Sequence, residues 1–97
     1  MINKIIKRSG ESVNFERNKV AFAVQKSWIE TLGINELEKA FKIGLNVAEY
    51  IQFLDKDNRS VEEIQDIVIN ELYVINTKVA HNYQNYRELK GKERGLK

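Results

Sequence analysis

The chain has 97 residues, enough for one domain around a single core. Apolar residues make up 42% and charged residues 31%, the balance of a globular chain, and no apolar run reaches the about 20 residues that cross a bilayer. Cysteine is absent, which excludes disulfides, zinc–thiolate centres and thiol nucleophiles together, and the simplest expectation is a cytoplasmic protein. The net charge of +2 hides a pattern: residues 1–19 carry +3, residues 20–86 carry −4 and residues 87–97 carry +3. Basic ends brought together by the fold would make one electropositive site on an acidic body, better suited to a compact anion than to a long nucleic acid.

The first element is a hairpin. Lys4-Ile5-Ile6-Lys7-Arg8-Ser9-Gly10-Glu11-Ser12-Val13-Asn14-Phe15 reads as strand, tight turn at Ser-Gly, and strand. Such a hairpin is marginal alone in water. It has no evident sheet to join, so it is expected to cover one end or edge of whatever follows.

Four helical patterns follow. Residues 17–32 space Val20, Val24, Trp28 and Leu32 four apart, with Ala21 and Ile29 beside them and Gly33 as the stop. Residues 36–54 place Leu37, Ala40, Phe41, Gly44, Leu45, Ala48 and Ile51 on one stripe, where Gly44 is expected to permit close helix contact. Residues 55–59 are a polar loop, and Ser60-Val61-Glu62-Glu63 matches a capping box opening a helix that buries Val61, Ile64, Ile67, Val68 and Leu72. Asn76 or Thr77 restarts the chain into a fourth helix through Val79, Ala80, Tyr83, Tyr86 and Lys90. Residues 1–90 form the expected domain, and residues 91–97 a frayed tail or truncated linker. Short connections between amphipathic helices predict an antiparallel bundle.

Catalytic and metal chemistry find little support. Asp55-Lys56-Asp57 resembles the start of a calcium loop, but Arg59 stands at a ligand position and the required glycine is missing. His81 is the sole histidine, best read as a surface residue, and no phosphate-cradling glycine motif occurs. The paired carboxylates Glu62-Glu63 and Glu36/Glu38 lie on expected solvated faces.

Four pieces remain: Ile5-Ile6-Lys7-Arg8-Ser9-Gly10; Phe15-Glu16-Arg17-Asn18-Lys19-Val20; Ser60-Val61-Glu62-Glu63-Ile64-Gln65-Asp66-Ile67-Val68; and Ala80-His81-Asn82-Tyr83-Gln84-Asn85-Tyr86-Arg87. In this order and spacing they resemble the ATP cone, the N-terminal nucleotide-sensing domain of many ribonucleotide reductases. Ser9 and Glu16 depart from the aspartates usual in that family, and neither change removes a positive charge. The resemblance implies an α+β fold, mainly α: a four-helix bundle capped by a small N-terminal β-hairpin or sheet. It also implies ATP or dATP as allosteric effector, with Mg²⁺. By similarity Ile5, Phe15, Val20, Ile64 and Tyr86 wall the adenine, Glu16 and Gln65 make polar contacts to base or ribose, and Val61 lines the same site. A triphosphate needs several cations, which Lys7, Arg8, Lys19 and Lys90 can supply. The implied partner is the catalytic part of a ribonucleotide reductase, with self-association left open. The competing readings are a nucleic-acid-binding regulator, disfavoured because the basic ends would act alone, and a helical interaction module without a ligand.

Overall fold

A computed structural model of the chain describes residues 4–7, 9–54 and 59–95, with side chains described as far as Arg87. The fold is α+β and mainly α, with four helices and one three-stranded sheet among the described residues. Strands β1 (Lys4–Ile6) and β2 (Ser12–Asn14) run antiparallel, Ile5 opposite Val13. Lys7 N–H donates to the Glu11 carbonyl and Gly10 N–H to the Lys7 carbonyl, both at 2.9 Å. Gly10 sits at φ +89°, a conformation that a Cβ would strain.

The hairpin does find a sheet. Arg59, expected in a polar loop, forms strand β3 with Ser60 (Arg59–Ser60). It runs parallel to β1, with Ile5 opposite Arg59 and Ile6 opposite Ser60, giving the order β2–β1–β3. Two residues are too few to display an alternating pattern, so sequence periodicity could not separate this strand from loop. The rest of that loop, residues 55–58, lies outside the described residues.

Helix α1 (Arg17–Leu32) ends where Gly33, at φ +94°, donates its N–H to the Ile29 carbonyl at 2.9 Å. A 3₁₀ turn (Ile34–Glu36) leads into α2 (Leu37–Phe53). The two helices are antiparallel: Arg17 pairs with Glu49 at 3.6 Å, the Phe22 and Phe41 rings lie 5.1 Å apart, and Gln25 Nε2 donates to the Leu37 carbonyl at 3.0 Å. Their contact runs through Ala21 on α1 and the row Ala40, Gly44, Ala48 on α2, all buried. A Cβ built on Gly44 would lie 2.6 Å from Ala21 Cα and 2.8 Å from its carbonyl oxygen, so the glycine sets how closely the helices approach.

Ser60 caps α3 (Val61–Ile75): its Oγ accepts from Glu63 N–H at 3.1 Å, and its own N–H donates to Glu63 Oε1 at 3.2 Å. Both halves of the expected capping box are therefore present. Asn76 opens α4 (Thr77–Gly95), its Oδ1 accepting from the N–H groups of Lys78 at 3.0 Å and Val79 at 3.2 Å. Helices α3 and α4 are antiparallel, joined by an Asp66–Arg87 ion pair and by the Tyr73 hydroxyl donating to Gln84 Oε1 at 3.1 Å. Helix α1 packs on α2 and α4, and α3 packs on α4 and α2. The backbone of α4 stays helical through Gly95, so residues 91–95, expected to fray, continue the helix; Gly91 alone removes no hydrogen-bond donor and does not stop it.

The core gathers Val24, Trp28, Ala40, Val47, Ile51, Ile64, Val68, Leu72, Val79 and Ala80. Val47 and Ile69 join the expected set, whereas Leu32 and Leu37, on the stripes but beside the Gly33 turn, are exposed. The Trp28 indole N–H donates to Glu36 Oε1 at 3.3 Å, which satisfies the one polar atom of this large core side chain. Gly44→Ala should destabilise the fold by about 1–3 kcal/mol, overpacking against backbone outweighing the gain in helix propensity. Urea unfolding followed by the fluorescence of Trp28, the single tryptophan, measures this. Unchanged stability would mean that the close approach is not required.

Candidate functional site

The site is assembled where three chain segments arrive at one end of the helices. Strand β2 runs through Phe15 into α1, β3 runs directly into α3, and β1 lies between the two strands. Helix α4, antiparallel to α3, brings its C-terminal half toward the same end. The sheet therefore lies beside the N-terminal turns of α1 and α3.

Four of the five expected wall residues come together here. Ile64 is 6% exposed in the core, and Ile5, Phe15 and Val20 are partly buried against it. Val61, one turn before Ile64 on α3, is partly buried as well. Tyr86 is placed differently: it is 42% exposed, and Lys26 Nζ stands 4.4 Å from its ring centroid. The tyrosine packed against the core is Tyr83, one turn earlier. The sequence stripe contained both, and the 3.6-residue period could not choose between positions three apart.

The cations lie around this end. Lys7 follows β1 and faces Glu11 at 4.0 Å; Lys19, in the first turn of α1, faces Glu16 at 3.3 Å. Both pairs are exposed, and such pairs contribute little to stability, so they can yield to a stronger anion. Arg8 lies outside the described residues. Lys90 lies on α4 one turn beyond Arg87, with its side chain outside the described residues. The first turn of α1 holds no acidic residue but carries Arg17 and Lys19, and its N-cap residue Glu16 makes no side-chain cap. Positive side chains at a helix N-terminus oppose the helix dipole. Among the described residues, Glu16, Arg17 and Asn18 line a shallow cleft of about 470 Å³ at this point.

Among the described residues, two buried polar atoms have no hydrogen-bond partner: Gln65 Oε1 and Arg59 Nε. An unsatisfied buried polar group costs roughly 1–3 kcal/mol, and each such group in a folded protein asks for an explanation. Gln65 stands next to Ile64 on α3, and the sequence singled it out. Arg59 it passed over. The available signal was a cation directly before the capping serine, which the polar-loop reading hid. Among the described residues no group of three or more His, Cys, Asp or Glu side chains could hold a metal ion.

Residues 3–92 match the ATP cone domain, and the chain belongs to that family. It is 34% identical over 94 residues to the vitamin B12-dependent ribonucleoside-diphosphate reductase of Thermoplasma acidophilum, covering 91% of this chain and 12% of that protein. It is 35% identical over 101 residues to the ribonucleoside-diphosphate reductase subunit alpha of Chlamydia pneumoniae, covering 96% of this chain and 10% of that protein. The chain thus spans about a tenth of the length of these relatives.

Tyr83 gives α4 a titratable marker of its packing. Burial pushes its phenol from 10.0 up to about 12, with Arg87 pulling weakly the other way. The folded chain then keeps a proton that the unfolded chain releases near pH 10. Stability from this group is complete below pH 10 and falls by about 1.4 kcal/mol per pH unit toward pH 12. Tyr83→Phe should remove that part of the alkaline loss, read as the difference between wild-type and variant unfolding curves across this range. Identical alkaline slopes would contradict the buried placement of the phenol.

Proposed function

We propose that this chain is a regulatory domain that senses ATP and dATP as allosteric effectors of a ribonucleotide reductase, either within the same polypeptide or as a partner. The observation that carries the reading is the buried Gln65 Oε1, unpartnered among the described residues, on α3 next to the core residue Ile64. An adenine amino group or a ribose hydroxyl is a donor of the kind this acceptor lacks. Family membership supports the same ligand class. In this reading the helices form a four-helix bundle within residues 1–90 and the sheet is its cap. Val61 lines the base, and Glu16 exchanges Lys19 for a ligand group. Lys7, Arg8, Lys19 and Lys90 hold the phosphates together with Mg²⁺. Tyr86 contributes to the wall once the ring leaves Lys26.

ATP and dATP differ by one ribose hydroxyl, so a switch between them rests on contacts around the sugar that differ in strength between two states. The output is a protein–protein surface toward the catalytic part of the reductase or a second copy of the domain. The relatives named as reductases support that assignment.

The test is a thermal and calorimetric titration with ATP, dATP and GTP in the presence of Mg²⁺, with a duplex oligonucleotide as control. At a hundred times its dissociation constant an adenine nucleotide should stabilise the fold by about 2.7 kcal/mol. No response to either adenine nucleotide rejects the reading, and a salt-steep response to the duplex alone would replace it. Lys7→Ala and Lys19→Ala each remove one charge-assisted contact of about 1.5–3 kcal/mol. Each should weaken ATP binding about 10- to 100-fold while leaving the ligand-free melting temperature nearly unchanged, because both side chains are exposed.

A further inference from the structure

Arg59 is a charged residue on the inner face of the sheet. In the parallel register Ile5 lies opposite Arg59, and laterally paired residues point to the same face. Ile5 packs against the core, so that face is the one turned toward the helices. The Arg59 side chain is accordingly only 19% exposed. A guanidinium carries five N–H donors that cannot be silenced by deprotonation. Here Nε is buried without a partner, and among the described residues the one ion pair is Nη1 to Glu63 Oε2, at a long 3.4 Å. Glu63 is itself committed to the α3 capping box through Oε1. A solvated surface arginine would keep Nε in water, and a structural buried arginine would have its donors filled. Arg59 fits neither description.

The neighbours of Arg59 are mostly further cations, so an acceptor for Nε would have to come from a bound anion. Strand β3 lies alongside β1, and the residue after β1 is Lys7. Across the sheet β2 leads to Lys19 and to the shallow cleft at Glu16, Arg17 and Asn18. Arg59 therefore stands beside the same end of the helices as these cations, but on the buried side of the strands. Planar guanidinium donors match the oxygens of a phosphate group, which a single ammonium cannot do in the same bidentate way. We propose that Arg59 is a further phosphate-binding residue of the nucleotide site, donating Nε–H and an Nη–H from β3 to oxygens of the bound polyphosphate. The proposal rests on the site described above, although the oxyanion recognition it assigns does not require adenine.

The experiment uses the full chain with two probes, ATP with Mg²⁺ and inorganic tripolyphosphate. Calorimetry gives the affinities, and melting curves without ligand give the stability of wild type, Arg59→Gln and Arg59→Lys. Arg59→Gln should weaken both probes about tenfold or more. Its ligand-free melting temperature should stay nearly level, because the long Glu63 pair it loses is offset by removing a guanidinium whose Nε is buried without a partner. Arg59→Lys should recover only part of the affinity. A fall in ligand-free melting temperature with both affinities kept would make Arg59 a structural partner of Glu63 and overturn the proposal. Wild type that binds tripolyphosphate but not ATP, with the anion lost in Arg59→Gln, would reject the nucleotide reading and keep this one. Wild type that binds neither probe would overturn both.

Discussion

The contact between α1 and α2 across Gly44 and Ala21 is the constraint on which the rest of the molecule depends. The Cβ-free position lets backbone meet backbone, and the neighbouring Ala40 and Ala48 keep the approach close along two further turns. Helices packed this way have little freedom to slide, because small residues leave no long side chains to rearrange. The start of α1 is thereby set in space, and with it Glu16, Lys19 and Val20. Arg17 faces Glu49 of the other helix across the same turn. In the proposed function, the first turn of α1 takes its place in the nucleotide site from a seam of backbone contact.

The opposite side of the site is held by a different device. Helix α3 begins without any connecting turn after β3, so the capping box and the sheet share Ser60. That residue pairs across to Ile6 and caps the helix at once. The hairpin and α3 are coupled through a single position, whereas α1 is joined to β2 by the two residues Phe15 and Glu16. Gln65 and Arg59, the two residues with unpartnered buried atoms, both sit within six residues of Ser60. The helix seam is satisfied by its own contacts; the sheet side is not.

What could be read in the sequence follows the length of each pattern. Helix α1 was legible to the residue, because apolar spacing and the Gly33 stop agree over sixteen residues. The α3 start was legible because a capping box is a chemical signature with two reciprocal bonds. Strand β3 was not, since two residues carry no period, and the parallel pairing that defines it joins positions more than fifty residues apart. For the same reason Arg59 was invisible as a site residue: its burial follows from that pairing alone. On α4, the choice of Tyr83 over Tyr86 for the core depends on the rotation of the helix against α1 and α3. A stripe containing both tyrosines left that angle open. The family resemblance named Lys7, Gln65 and the apolar walls together, but burial of Gln65 Oε1 came only with the packed helices.

The parallel pairing of β1 with β3 also bears on how the chain reaches this state. Strand β1 emerges before β3, so its second neighbour arrives only with Arg59 and Ser60, and part of the core it packs against only with α3 and α4. Closing that loop costs chain entropy before any contact across it compensates. Strand β1 is thus among the last to settle, and until residue 60 has emerged Ile5 and Ile6 have only a marginal hairpin to shelter them. The strand is flanked by the polar and charged residues Lys4, Lys7, Arg8, Ser9 and Glu11, which disfavour its pairing with other chains while it waits.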